Sequence, residues 1–141
     1  MNIIEKIPKL IIHTDGGARG NPGPAAVGVV IETTASVLVS FGKKIGPATN
    51  NVAEYEGVAA AFSYLCNKQI FAKEIIVYLD SKLVAEQLTG NYKIKKPHLH
   101  QLYLQVKHLE KQIGERVAYI AVSREQNVQA DVLVNNALDT P

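Results

Sequence analysis

Three runs of β-branched and apolar residues, KLIIHTD (9–15), AAVGVVIET (25–33) and SVLVSFGKK (36–44), follow one another with only turn-forming stretches between them. Connections this short join antiparallel neighbours, so the chain begins as a meander. After the turn-like IGPATNN, the residues Tyr55, Ala59, Phe62 and Cys66 recur at helical spacing, which predicts a helix over 52–67 and makes Cys66 a core residue. EIIVYLD (74–80) is almost continuously apolar, the pattern of a strand in the middle of a sheet with both faces covered, and SKLVAEQL (81–88) reads as a short helix behind it. Pro97 suits the first turn of a helix that Leu99, Leu102, Val106, Leu109 and Ile113 carry to Gly114. RVAYIAV (116–122) is a fifth strand, and NVQADVLVNNAL (127–138) is a last helix with Ala130, Leu133 or Val134, and Ala137 inward. The order β-β-β-α-β-α-α-β-α predicts an α/β fold. Its five-stranded mixed sheet combines the antiparallel meander 1-2-3 with parallel strands 1, 4 and 5, and carries helices on both faces.

A chain of 141 residues, 47% of them apolar, fills one core, so a single domain over 1–141 is expected. Fifteen Lys and Arg against thirteen Asp and Glu leave a formal charge of only +2, so a polyanionic partner must be argued from local placement. The only cysteine, Cys66, has no internal disulfide partner. No secretory signal and no run of 18 apolar residues is evident, and the expectation is a cytoplasmic protein with no membrane contact. NYKIKKPH is the most exposed-looking basic loop.

On this map Asp15 ends strand one, Glu54 opens the first helix, Asp80 ends strand four, and Asp131 falls in the first turns of the last helix. Each has an ordinary explanation by itself. Asp15-Gly16 is a turn dipeptide, Asn51-x-x-Glu54 resembles a capping box, Asp80 can cap a helix beginning at Ser81, and Asp131 complements a helix dipole. Jointly they say more, because parallel neighbours one and four bring Asp15 and Asp80 together at the carboxyl edge, where open α/β sheets place their sites. Two carboxylates ~4 Å apart repel by about 4 kcal/mol at an effective dielectric near 20, so four of them call for cations. Hard oxygen ligands suit Mg²⁺ or Mn²⁺, and such ions serve phosphoryl transfer.

TDGGARGNPGPAAVG (14–28), TNNVAEYEGVAAAF (49–62), VYLDSKLVAEQL (77–88) and REQNVQADVLVNNAL (124–138) together resemble, in order and over nearly the whole chain, the ribonuclease H type 1 family. The resemblance puts Asp15, Glu54, Asp80 and Asp131 at the positions of that family's metal-binding carboxylates. It implies endonucleolytic hydrolysis of the RNA strand of an RNA–DNA hybrid, leaving 5′-phosphate and 3′-hydroxyl ends. Two Mg²⁺ ions, with Mn²⁺ as a substitute, would lower the pKa of an attacking water and stabilise the leaving 3′-oxygen. By this carry-over Asp15 lies between both ions, Asp131 toward the nucleophile, and Glu54 and Asp80 toward the leaving group. Asn50, Asn51 and the backbone of Gly16, Gly17 and Arg19 suit a shallow minor groove, where glycines keep the surface low. The alternatives are local turn and cap bonds for the asparagines and a solvated loop cation for Arg19. Asn21 and Thr49 match family positions that hold a phosphate of the DNA strand.

The chain also departs from the family. Larger members carry a loop histidine before the last helix, whereas AVSREQN has none. Arg124 there is a candidate phosphate contact and Glu125 an auxiliary that helps a metal leave, against the alternative of a helix-start ion pair or solvated residues. His13, His98, His100 and His108 match no family catalytic position and read as structural or solvated. There is no tryptophan, and NYKIKK with Lys107 and Lys111 stands where many relatives have a basic protrusion, so weaker and salt-dependent binding is expected. Lys82 occupies a position where some relatives use glutamine against RNA, which opens double-stranded RNA as a further substrate. A monomer is expected. Two rivals are a dinucleotide-dependent enzyme, for which GGARGNPG lacks the G-x-G-x-x-G spacing and leads into a strand, and a hybrid-binding module that does not cleave, which would gain nothing from four acids beside a phosphate.

Overall fold

The computed structural model describes residues 6–141, so residues 1–5 of the expected 1–141 domain lie outside the described residues. The elements are β1 (Ile7–Ala18), β2 (Gly23–Glu32), β3 (Val37–Ala48), α1 (Asn50–Asn67), β4 (Ala72–Leu79), α2 (Lys82–Thr89), α3 (Pro97–Ile113), β5 (Gly114–Ala121) and α4 (Val128–Asp139). A 3₁₀ turn, Arg124–Asn127, leads into α4. The strands form one sheet in the order β3-β2-β1-β4-β5. β1, β2 and β3 pair antiparallel, and β1, β4 and β5 parallel, as the order of elements predicts. The central strand is β1; β4 is interior, between β1 and β5.

β1 runs further than its apolar pattern suggests. The pairing with β4 ends at His13 and Tyr78, but the pairing with β2 continues through Asp15, Gly16 and Gly17 to Ala18. Asp15-Gly16 is therefore strand, not a turn, and Asp15 sits just past the fork where β1 and β4 part. The reversal comes later, where Arg19 N–H donates to the Pro24 carbonyl at 2.8 Å. The glycine-rich stretch then enters β2 and opens no helix, which removes the dinucleotide reading.

Two helices approach the sheet closely because glycine lets them. A Cβ on Gly16 would lie 2.0 Å from the Ala53 carbonyl oxygen, so α1 rests on the backbone of β1. A Cβ on Gly28 would lie 2.2 Å from the carbonyl oxygen of Ala130, so α4 rests on β2 in the same way. α1 also packs against α3, and their shared core with the sheet includes Leu10, Ile12, Tyr55, Phe62, Leu65 and Ile75, all fully buried. On α4, Ala130 and Val134 are buried, while Leu133 and Ala137 are half-buried. Cys66 packs against the edge of the core and donates to Gln112 Oε1 at 3.0 Å.

The helix starts differ from two expectations. α1 is capped by Thr49, whose Oγ1 accepts from Val52 N–H at 3.3 Å, so Asn51 and Glu54 form no capping box and Glu54 lies in the second turn. α2 is capped by Ser81, whose Oγ accepts from Val84 N–H at 3.2 Å. Neither Glu54 nor Asp80 is used as a cap, which leaves both carboxylates for other work.

Candidate active site

Asp15 lies within β1 just past the fork, Asp80 follows the end of β4, Glu54 lies in the second turn of α1, and Asp131 in the first turn of α4. All four line one open cleft of about 500 Å³ at the carboxyl edge of the parallel strands. Asp15, Glu54 and Asp80 form its tight centre, each offering a carboxylate oxygen within 4.8 Å of the other two. Asp131 lines the same cleft, near enough for its charge to raise the Asp15 pKa but outside this compact trio.

The centre is held in an electrostatically costly state. Asp15 and Glu54 are buried at 5% and 6% exposure. The Gly16 N–H is the one donor shared between them, at 3.0 Å from Asp15 Oδ1 and 3.3 Å from Glu54 Oε1. Among the described residues Glu54 Oε2 is buried with no hydrogen-bond partner. Burial first, with help from the charges of Asp80 and Asp131, raises the Asp15 carboxyl from 3.8 to about 6, against the opposing hydrogen bonds of Glu54 and Gly16. Burial first, then the Asp15 and Asp80 charges, pushes Glu54 well above the usual glutamate range. An orphaned carboxylate oxygen among three converging acids is the donor set of a hard divalent cation, and it suits Mg²⁺ or Mn²⁺.

Five of the substrate-contact candidates also line the cleft: Gly16, Gly17, Arg19, Asn50 and Arg124. Arg19 is paired with Asp139 at 2.6 Å while its side chain stays 48% exposed. Arg124 Nε lies 3.9 Å from Asp80 Oδ2, its side chain 80% exposed and turned toward the acids. Asn50 Oδ1 accepts from Ala18 N–H at 2.9 Å, and Asn50 N–H donates to Asn21 Oδ1 at 3.0 Å, so these two asparagines bind the glycine loop to the start of α1. Asn21, Thr49, Asn51, Lys82 and Glu125 do not line the cleft; Lys82 and Glu125 are exposed, and Asn51 is half-buried. The wall also includes Val134, expected from the sequence only as an inward residue of the last helix, and Asn135 and Leu138, which the sequence reading did not single out. Nor did it single out Asn127, 2% exposed, whose Nδ2 donates to the Thr14 carbonyl at 2.8 Å. Its spacing of one helical turn before Asp131 was the available signal.

The sheet order, the fork between β1 and β4 and the acids around it define the ribonuclease H-like class of α/β fold. The family model described as Reverse transcriptase-like matches residues 13–137. Bifunctional protein Rv2228c of Mycobacterium tuberculosis is 45% identical over 133 residues, 93% of this chain and 36% of that protein. The solved N-terminal RNase H domain of Rv2228c superposes with a TM-score of 0.86, covering 93% of this chain and 99% of that one. Ribonuclease HI of Halobacterium salinarum is 37% identical over 128 residues, 90% of this chain and 63% of that protein. LC11-RNase H1, solved in complex with an RNA/DNA hybrid, is 40% identical with a TM-score of 0.87, covering 92% of this chain and 96% of that one. The chain belongs to the ribonuclease H type 1 family. It spans about a third of the length of the mycobacterial relatives it matches.

Proposed function

We propose that the protein is a metal-dependent endoribonuclease that hydrolyses the RNA strand of RNA–DNA hybrids, leaving 5′-phosphate and 3′-hydroxyl ends. The observation that carries the reading is the convergence of Asp15, Glu54 and Asp80 in a cleft that Asp131 also faces, with a buried Glu54 oxygen lacking any partner. LC11-RNase H1, at 40% identity, was solved with an RNA/DNA hybrid, which supports the choice of substrate. Residues 1–141 act in this reading as one ribonuclease H domain, a cytoplasmic monomer. Among the described residues no helix is long and apolar enough to cross a membrane.

Asp15, Glu54, Asp80 and Asp131 would hold two Mg²⁺ ions, or Mn²⁺ in their place. Bound there, the ions supply an acidified water for in-line attack and neutralise charge on the leaving 3′-oxygen. The remaining work falls to the chain. Gly16 N–H fixes the inner oxygens of Asp15 and Glu54, leaving Glu54 Oε2 directed elsewhere. Arg124, exposed over the acids, binds a phosphate and holds the strand in register, while Glu125 helps release the metal. Gly17, Asn50 and Asn51 meet the minor groove at a low surface, and Asn21 and Thr49 hold a phosphate of the DNA strand. Arg19 joins the substrate wall beside them. Lys82, exposed at the start of α2, grips a backbone by charge, which does not distinguish ribose from deoxyribose. Double-stranded RNA is thus a second, weaker substrate.

The test is an internally labelled RNA annealed to DNA, incubated with purified protein in Mg²⁺ or Mn²⁺. Internal cuts with 5′-phosphate ends, sparing single-stranded RNA and the DNA strand, are expected, with slower cutting of an all-RNA duplex. Tight hybrid binding with no cleavage in either metal would instead make the protein a binding module.

A further inference from the structure

His13 lies two residues before Asp15 on β1, at the last paired position against β4, and its ring stacks on Tyr78 with centroids 5.2 Å apart. Its Nδ1 is 3.3 Å from Asn127 Oδ1. Asn127 is buried at the junction between the 3₁₀ turn and α4, and its Nδ2 already donates to the Thr14 carbonyl. The orientation of the amide is therefore fixed. Its oxygen faces His13 and can only accept, so Nδ1 of His13 must carry the proton of this hydrogen bond. On the far side of the ring, Nε2 lies 3.5 Å from Glu32 Oε1. The imidazole is held on three sides, by Tyr78 on β4, Glu32 on β2 and Asn127 just before α4.

We propose that His13 is a positioning residue that acts through Asn127 to set Asp131 against Asp15. The parallel pairing of β1 and β4 stops at His13, and the cleft opens there; α4 rests on β2 beside this point, Ala130 against the Gly28 that pairs with Asp15, and a direct side-chain tie from the start of α4 to β1 adds to that contact. The Asn127 side chain makes that tie at Thr14, directly before Asp15. Asn127 immediately precedes α4 and Asp131 lies in that helix's first turn, so fixing the first aims the second at the cleft. Turning that amide, exchanging oxygen for nitrogen, would present an acceptor to the Thr14 carbonyl, which already opposes the flip. The Nδ1–H of His13 rejects that flip because it would face an NH₂ group. The capping box between Ser123 and Gln126 stiffens the turn that precedes this joint and carries Arg124. A metal centre shared between Asp15 and Asp131 needs this distance held, as partners behind metal ligands commonly do.

The inference rests on the metal-dependent reading above, and its test separates the two. His13→Phe keeps a ring to stack on Tyr78 and removes the donor; His13→Gln keeps a donor that can meet Asn127 Oδ1. Calorimetric Mn²⁺ binding to substrate-free protein is expected to weaken about tenfold in His13→Phe, with melting temperature nearly unchanged, and to recover in His13→Gln. On hybrid substrate kcat falls with KM nearly unchanged, since the strand-gripping residues are intact. Asn127→Ala gives the same split if it folds. Wild-type Mn²⁺ affinity in His13→Phe overturns the inference. So does equal damage in the Phe and Gln variants, which would mark a packing role alone. Absence of hybrid cleavage by the wild-type protein counts against the proposed function, while the Mn²⁺ comparison still decides the role of His13.

Discussion

Ionising Asp15 in the metal-free fold works against burial and against the neighbouring charges of Asp80 and Asp131. Because its folded pKa is raised, from 3.8 to about 6, the native state binds more protons than the unfolded chain between these values. Stability is therefore lost as pH rises through that window, on the order of 3 kcal/mol for a shift of this size. Glu54 moves in the same direction. Thermal unfolding in chelator should show a lower melting temperature at pH 8 than at pH 5, and added Mg²⁺ should raise it more at pH 8. Asp15→Asn should flatten that slope and stabilise the metal-free protein at pH 8. The same variant should lose hybrid cleavage by about 100-fold or more, because an electrostatic contact to the reacting centre goes with it. A variant with full activity would remove Asp15 from the site.

The elements place these residues through contacts that have no side chain in them. Gly16→Ala would push a methyl group into the Ala53 carbonyl, which lies 2.0 Å from the position of that Cβ, and α1 must retreat from β1. A cost of about 3 kcal/mol or more is expected in denaturant unfolding, with Glu54 carried away from Asp15. Thr49→Ala, by contrast, loses a cap and should cost about 1 kcal/mol. The difference also explains what could be read from sequence. Apolar patterning located the strands as continuous runs and α1, α3 and α4 as periodic faces, with α2 read from its place behind β4. It missed the last residues of β1 because Gly16, Gly17 and Ala18 carry no strand pattern; they pair with β2 where glycine admits α1 from above. Thr49 and Ser81 as caps were hidden by more conspicuous acids nearby. The four carboxylates were legible from their places at element ends together with the family motifs. Asn127 was not, since its partners Thr14 and His13 lie 113 and 114 residues away.

At the scale of the whole molecule, a net charge of +2 supplies little general attraction to a nucleic acid. On the proposed reading, grip comes from Arg124 and Arg19 at the cleft, from Lys82, and from the exposed Lys93, Lys95 and Lys96 between α2 and α3. Hybrid affinity measured between 50 and 200 mM salt should fall steeply, and replacing the three loop lysines with alanine should shallow the slope by about one per lost phosphate contact while kcat stays unchanged. A slope unaltered by that triple change would place the nucleic acid on another face. The proposed function requires the acids at the β1–β4 fork to be a metal centre. Anomalous scattering from Mn²⁺-soaked crystals measures it directly. The account predicts a peak among Asp15, Glu54 and Asp80, at metal–oxygen distances of about 2.0–2.2 Å, with the orphaned Glu54 oxygen among the ligands or bonded to a water that is. Well-ordered carboxylates still gathered at the fork, with no anomalous signal between them at saturating Mn²⁺, would contradict it.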